Sequence, residues 1–207
     1  MPKTSSLMSR LLTASLIAMS VTGPAWAQQS PTVRIRGTIE AVDGSLLAVK
    51  SREGTEMKVR LTDNVAVFGV AKTTISEIKP GSYIGVSAMP EPDGTQKALA
   101  VQIFPESQRG IAEGFRPWDL RPNSTMTNAT VADTVEGNDG HTLKVKYRGG
   151  EKKVVVSPNT PVVTFVPGDK SELKPGAKVI AFMKKLPDGS LETNRVSVGR
   201  DGLTPPM

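Results

Sequence analysis

One segment of the chain occurs twice: Glu77-Ile78-Lys79-Pro80-Gly81 returns as Glu172-Leu173-Lys174-Pro175-Gly176, 95 positions later. At that offset Pro92-Asp93-Gly94 returns as Pro187-Asp188-Gly189, Asn64 as Asn159, Val59 as Val154 and Val101 as Val196. Near the start of each copy the offset drifts, setting Leu47 against Leu143 and Thr38-Ile39 against Thr130-Val131, as small loop insertions would. A shared offset over separated matches marks a duplicated unit. It constrains the fold strongly, because both copies must be able to adopt the same structure.

Each copy reads as short strands. Val33-Arg34-Ile35-Arg36-Gly37-Thr38-Ile39 alternates apolar with polar residues, as does Leu143-Lys144-Val145-Lys146-Tyr147-Arg148. Asp43-Gly44, Asp93-Gly94, Asp139-Gly140 and Asp188-Gly189 fall between such runs and predict tight hairpins, with further turns at Glu53-Gly54 and Gly149-Gly150. A buried-looking run follows in each copy (65–70 and 162–166), then the Lys-Pro-Gly turn, then two strands joined by Asp-Gly. The fold class expected is all-β: two tandem small β-barrel repeats of OB-like form, each of five to six short strands, after an N-terminal signal helix. A β-sandwich is the alternative. The divisions are a signal peptide at 1–27, repeat 1 at 28–106, a linker at 107–127, repeat 2 at 128–200 and a tail at 201–207. Units this small, without disulfides or metal, gain by packing together.

The N-terminus has the three regions of a secretory signal. Lys3 and Arg10 supply positive charge, residues 11–21 an apolar stretch, and Gly23-Pro24 a break before Ala25-Trp26-Ala27. Cleavage between Ala27 and Gln28 is expected, because the apolar run is too short to span a bilayer. No later stretch could cross as a helix. The expected location is the periplasm, with an extracellular one as the alternative. Two glycosylation-like triplets, Asn123-Ser124-Thr125 and Asn128-Ala129-Thr130, belong with the second.

With Lys3 and Arg10 removed and no acid lost, the net charge falls from +6 to +4. That mild excess, with aromatics at 4%, is unlike a nucleic-acid binder. The chain has no cysteine, which excludes disulfides and thiolate chemistry. Its single histidine, His141, cannot build a zinc site alone. Ser76-x-x-Lys79 and Ser171-x-x-Lys174 have the spacing of some serine acylases, but their duplication inside a turn points to structure. No metal, cofactor or catalytic residue is assigned, and an enzyme, hydrolytic or otherwise, is the least favoured class.

Two features look like recognition surfaces. The linker segment 109–122 has no repeat partner and holds Phe115, Arg116, Trp118, Asp119 and Arg121, stiffened by Pro117 and Pro122. In one reading Phe115 and Trp118 plug the junction between domains while Arg116 or Arg121 pairs with Asp119 or Glu113. In the other these residues anchor a partner, since Trp and Arg are enriched in binding hot spots. The second feature is a basic hairpin of Lys144, Lys146, Arg148, Lys152 and Lys153. It is a solvated face with an edge-protecting role or a contact for anionic lipid or glycan.

Gly37-Thr38-Ile39, Leu173-Lys174-Pro175-Gly176 and Asp188-Gly189 carry a resemblance to bacterial envelope proteins with tandem OB-like domains. That resemblance implies an exported barrel protein in a class of unknown function, some of whose members bear names borrowed from metal transport. The function expected is a non-catalytic periplasmic binding or adaptor protein with an envelope partner. A binding module for anionic lipid, glycan or metal is the alternative.

Overall fold

The computed structural model describes residues 32–137 and 140–207. The signal-peptide reading, with its Ala27–Gln28 junction, and Asn138-Asp139 of one hairpin turn lie outside these residues. The described chain is all-β, in twelve strands. They are β1 (Thr32–Asp43), β2 (Leu46–Ser51), β3 (Glu56–Thr73), β4 (Tyr83–Pro90), β5 (Gln96–Ile103), β6 (Gly114–Pro117), β7 (Thr125–Gly137), β8 (Gly140–Tyr147), β9 (Gly150–Val156), β10 (Val162–Pro167), β11 (Lys178–Lys185) and β12 (Leu191–Gly199). Turn chemistry separates them as the sequence implies. Asp93 and Asp188 each accept the backbone N–H two residues on at 2.9 Å, and the following Gly94 and Gly189 both have φ of +83°.

The pairing closes two five-stranded rings. In the first, β1 pairs β2 and β11, β2 pairs β3, β11 pairs β12, and β12 returns to β3 in parallel. In the second, β4 pairs β5 and β7, β7 pairs β8, β8 pairs β9, and β9 meets β5 in parallel over Gln96↔Val154 and Lys97↔Val155. Inward residues fill each ring. Ile35, Ile39, Leu47, Val49 and Val59 pack with Val179, Met183 and Val196 in one core, and Ile84, Val86 and Val101 pack with Val131, Leu143, Val145 and Val154 in the other.

The rings do not follow the expected division at 28–106 and 128–200. Each takes three strands from one half of the chain and two from the other: β1–β3 close with β11 and β12, and β7–β9 close with β4 and β5. Connection geometry carries the last pair of strands away from its own half. β3 runs unbroken for 18 residues, out of the first ring and into an antiparallel pair with β10. In the second half, Pro158 and Pro161 interrupt the corresponding path between β9 and β10, because proline cannot donate to a ladder.

The duplicated Lys-Pro-Gly turn fastens this arrangement. Gly81 donates to the Val131 carbonyl and Val131 to that of Ser82, both at 2.8 Å, across the two halves. Ninety-five positions on, Gly176 donates to Ile39 at 2.8 Å and Ile39 to Ala177 at 2.9 Å. Ile39 and Val131 both sit at a register shift of their strands, so each turn caps the bulge of the other half's barrel. Ile78 and Leu173, inside the two Ser-x-x-Lys segments, are buried in the cores, whereas Ser76, Lys79, Ser171 and Lys174 are exposed. Among the described residues no helix is long and apolar enough to cross a membrane.

Candidate functional site

Val70 of β3 lies opposite Phe165 of β10. Here β3 of the first ring pairs with β10 between the two rings. A cleft of about 440 Å³ opens there, within the size range of small-molecule sites. Val70, Phe165, Gly85, Ile180, Gln102 and Ser197 are among the residues that line it. Packing at Gly85 is close: a Cβ there would sit 3.0 Å from both Asn128 Oδ1 and the Phe104 ring, so those side chains would have to give by a few tenths of an ångström.

The linker covers one side. β6 pairs with β7, and the alternation of a strand sends Arg116 and then Trp118 toward the cleft while Phe115 faces away. Phe115 stays exposed beneath the Lys152 ammonium, 4.6 Å from its ring centroid. Trp118 is half-buried and stacks on Arg34, whose guanidinium carbon lies 3.6 Å from the ring centroid, with Arg116 at 5.5 Å and Arg36 at 5.8 Å. Asp119 does not pair with Arg116 or Arg121. It accepts from Arg34 and, at 2.6 Å, from Arg36. These arginines alternate with core residues on β1, which puts both on its outer face beside Phe182 and Ile180 of β11. Arg121 stays exposed in the turn closed by Ser124. Pro205, Pro206 and Met207 also line the cleft, and Met207 packs with Ala100, Met126 and Trp118.

Three arginines and no Asp or Glu side chain line this cleft. Burial lowers the pKa of Arg34, although Asp119 opposes it, and burial also lowers Arg116 and Arg195. All three remain cations at neutral pH. Burial pushes the Asp119 carboxyl up, but the hydrogen bond from Arg36 and the charge of Arg34 outweigh it and hold the pKa below the ordinary value. Several donors here are buried and unpaired among the described residues: Trp118 Nε1, Arg34 Nε, Arg195 Nε and Gln102 Nε2. Unpaired buried donors are costly in a packed protein and are natural points for a ligand's acceptors.

The basic hairpin lies elsewhere and is partly balanced. Lys144 pairs with Glu151 at 3.3 Å, Lys146 stands opposite Glu151, and Lys153 stands opposite Lys144. Lys152 is taken by Phe115, and the Arg148 backbone N–H donates to Glu113 at 2.8 Å. Asn128 of the second glycosylation-like triplet is buried, its amide donating to the Ile111 carbonyl at 3.0 Å. Among the described residues no three His, Asp or Glu side chains are grouped to hold a metal ion.

Sequence reasoning singles out Trp118, Arg116 and Asp119, which meet here, but it misses Arg34, Arg36 and Arg195. The alternation of Arg34 and Arg36 on β1 was the available signal for the first two. Arg195 carried none, being one polar residue within a strand. No family model, curated protein or solved structure matches the chain.

Proposed function

We propose that the protein is a non-catalytic binding protein of the cell envelope, and that it binds its ligand in the cleft beside Trp118. One observation carries this reading: an apolar-walled concavity between the barrels into which three arginines and several unpaired donors converge. A concave site of this size suits a small ligand better than the broad surface an adaptor needs. The reading draws the two halves as copies of one OB-like unit that have exchanged their last two strands, with the cleft arising where they face each other. Export by cleavage between Ala27 and Gln28 belongs to the same proposal. N-terminal sequencing of the protein recovered from the envelope is expected to begin at Gln28.

The test of the site is a thermal-shift screen of the purified protein against metabolites, lipids and glycans, repeated with Trp118→Ala. Stabilising hits that the folded variant loses support the reading. Hits equally strong in the variant place recognition outside the cleft. In-cell crosslinking of wild type beside an Arg116→Ala, Trp118→Ala variant addresses the adaptor role, and a dominant partner lost in the variant would favour it.

A further inference from the structure

We infer that the cleft takes an amphipathic carboxylate, an organic anion whose head pairs with Arg195 while its apolar body lies along Phe165, Phe104 and Ile180. The inference rests on the cleft being the binding site and names the chemistry it selects. Arg195 lies against two rings that touch each other, its guanidinium carbon 4.5 Å from the centroid of Phe68 and 5.2 Å from that of Phe165. Its side-chain hydrogen bond goes to the neutral amide oxygen of Gln108 at 3.1 Å, which cannot balance a charge. Among the described residues it forms no ion pair, and burial lowers its pKa.

A guanidinium partly withdrawn from water without a counter-ion is held at a cost. Arg34, in the same cleft, shows the ordinary remedy, since Asp119 takes up its charge. The barrel does not require Arg195, because the equivalent position in the other half is Ala100, fully buried in the small cluster with Met126 and Met207. Likewise Phe182 stands where the other half has Ser87. A cation and an aromatic ring thus stand where the other half has Ala100 and Ser87, and both line the shared cleft. The apolar floor and walls disfavour a heavily hydrated polyanion such as a sugar phosphate, whose shell would be stripped without replacement. A single carboxylate with an apolar body satisfies both halves of the site, and guanidinium recognises carboxylate in a planar fork.

The experiment titrates dodecanoate and dodecanol, each below its aggregation limit, into the purified protein by calorimetry while observing the methyl resonances of the methionines. Met126 and Met207 line the cleft, and Met57 does not. Dodecanoate is expected to shift Met126 and Met207, leave Met57 in place, and bind at least about tenfold tighter than dodecanol. Arg195→Gln should bring the acid down to the alcohol's affinity, and Arg195→Lys, which keeps the charge, should retain most of the preference. Equal affinity of acid and alcohol for the wild type would overturn the anion inference while leaving the cleft as an apolar site. Binding that moves neither Met126 nor Met207, or no binding of either probe, would overturn it together with the proposed site for such ligands. If Arg195→Gln fails to fold, the acid-to-alcohol ratio on the wild type decides the matter.

Discussion

Cutting the chain in the exposed turn at Arg121-Pro122-Asn123, through an inserted protease site, tests whether each barrel needs both halves. The fragments on either side of the cut, ending at Arg121 and beginning at Pro122, would then be held only by non-covalent contacts. The exchanged segments place Ile78, Ile84, Val86 and Val101 in the core of the second ring, and Leu173, Val179, Met183, Val196 and Val198 in that of the first. At about 2 kcal/mol for each such buried side chain, these nine contribute about 18 kcal/mol across the cut. Association of two pieces opposes this by about 10 kcal/mol, which leaves about 8 kcal/mol and a Kd near or below micromolar. Strand pairing adds to it, with seven residue pairs between β1 and β11 and eight between β12 and β3. The nicked protein is therefore expected to elute as one species at 20 μM (roughly twentyfold above that Kd) and to melt in one transition. Two separable folded fragments with independent melting transitions would mean that each half closes its own barrel, and the exchange would be refuted.

Gly176 has φ of +87° with open space where a Cβ would point, so Gly176→Ala is expected to lose about 1 kcal/mol in urea unfolding through backbone strain alone. Gly81→Ala, with φ of +89°, should match it, and a neutral result at either would remove the turn from the structural argument. The pKa of Asp119 is lower folded than unfolded, so its contribution is present above about pH 4 and disappears as the pH falls through the folded value. More than half of that side chain is exposed, which limits the effect to about 1 kcal/mol or less. Asp119→Asn should therefore be less stable than wild type at pH 7 and equal to it at pH 2, and a gap persisting at pH 2 would show another cause. Because Glu151 balances Lys144, co-sedimentation with anionic vesicles should be absent at about 0.15 M salt. Retention there that Lys144→Glu or Lys153→Glu abolishes would restore the hairpin as a binding surface.

The alternation at 33–39 and 143–148, the Asp-Gly turns and the apolar runs read out the strands because those signals are local: side-chain period and turn conformation depend on neighbours in sequence. The 95-residue offset likewise announced the equivalent turns at Gly81 and Gly176, and the rare Trp118 marked the segment that lies between the barrels. Which strands share a ring is a different kind of information. The β4–β5 and β11–β12 hairpins carry the same Asp-Gly turn and the same local strand signals, so periodicity is silent on which ring each joins. The continuous β3, set against the proline-broken path from β9 to β10, decides it through connection geometry. The cleft follows from that decision. Arg34 from β1, Trp118 from the linker and Arg195 from β12 lie far apart in the chain, and only the exchange of strands brings their charges and rings to one place.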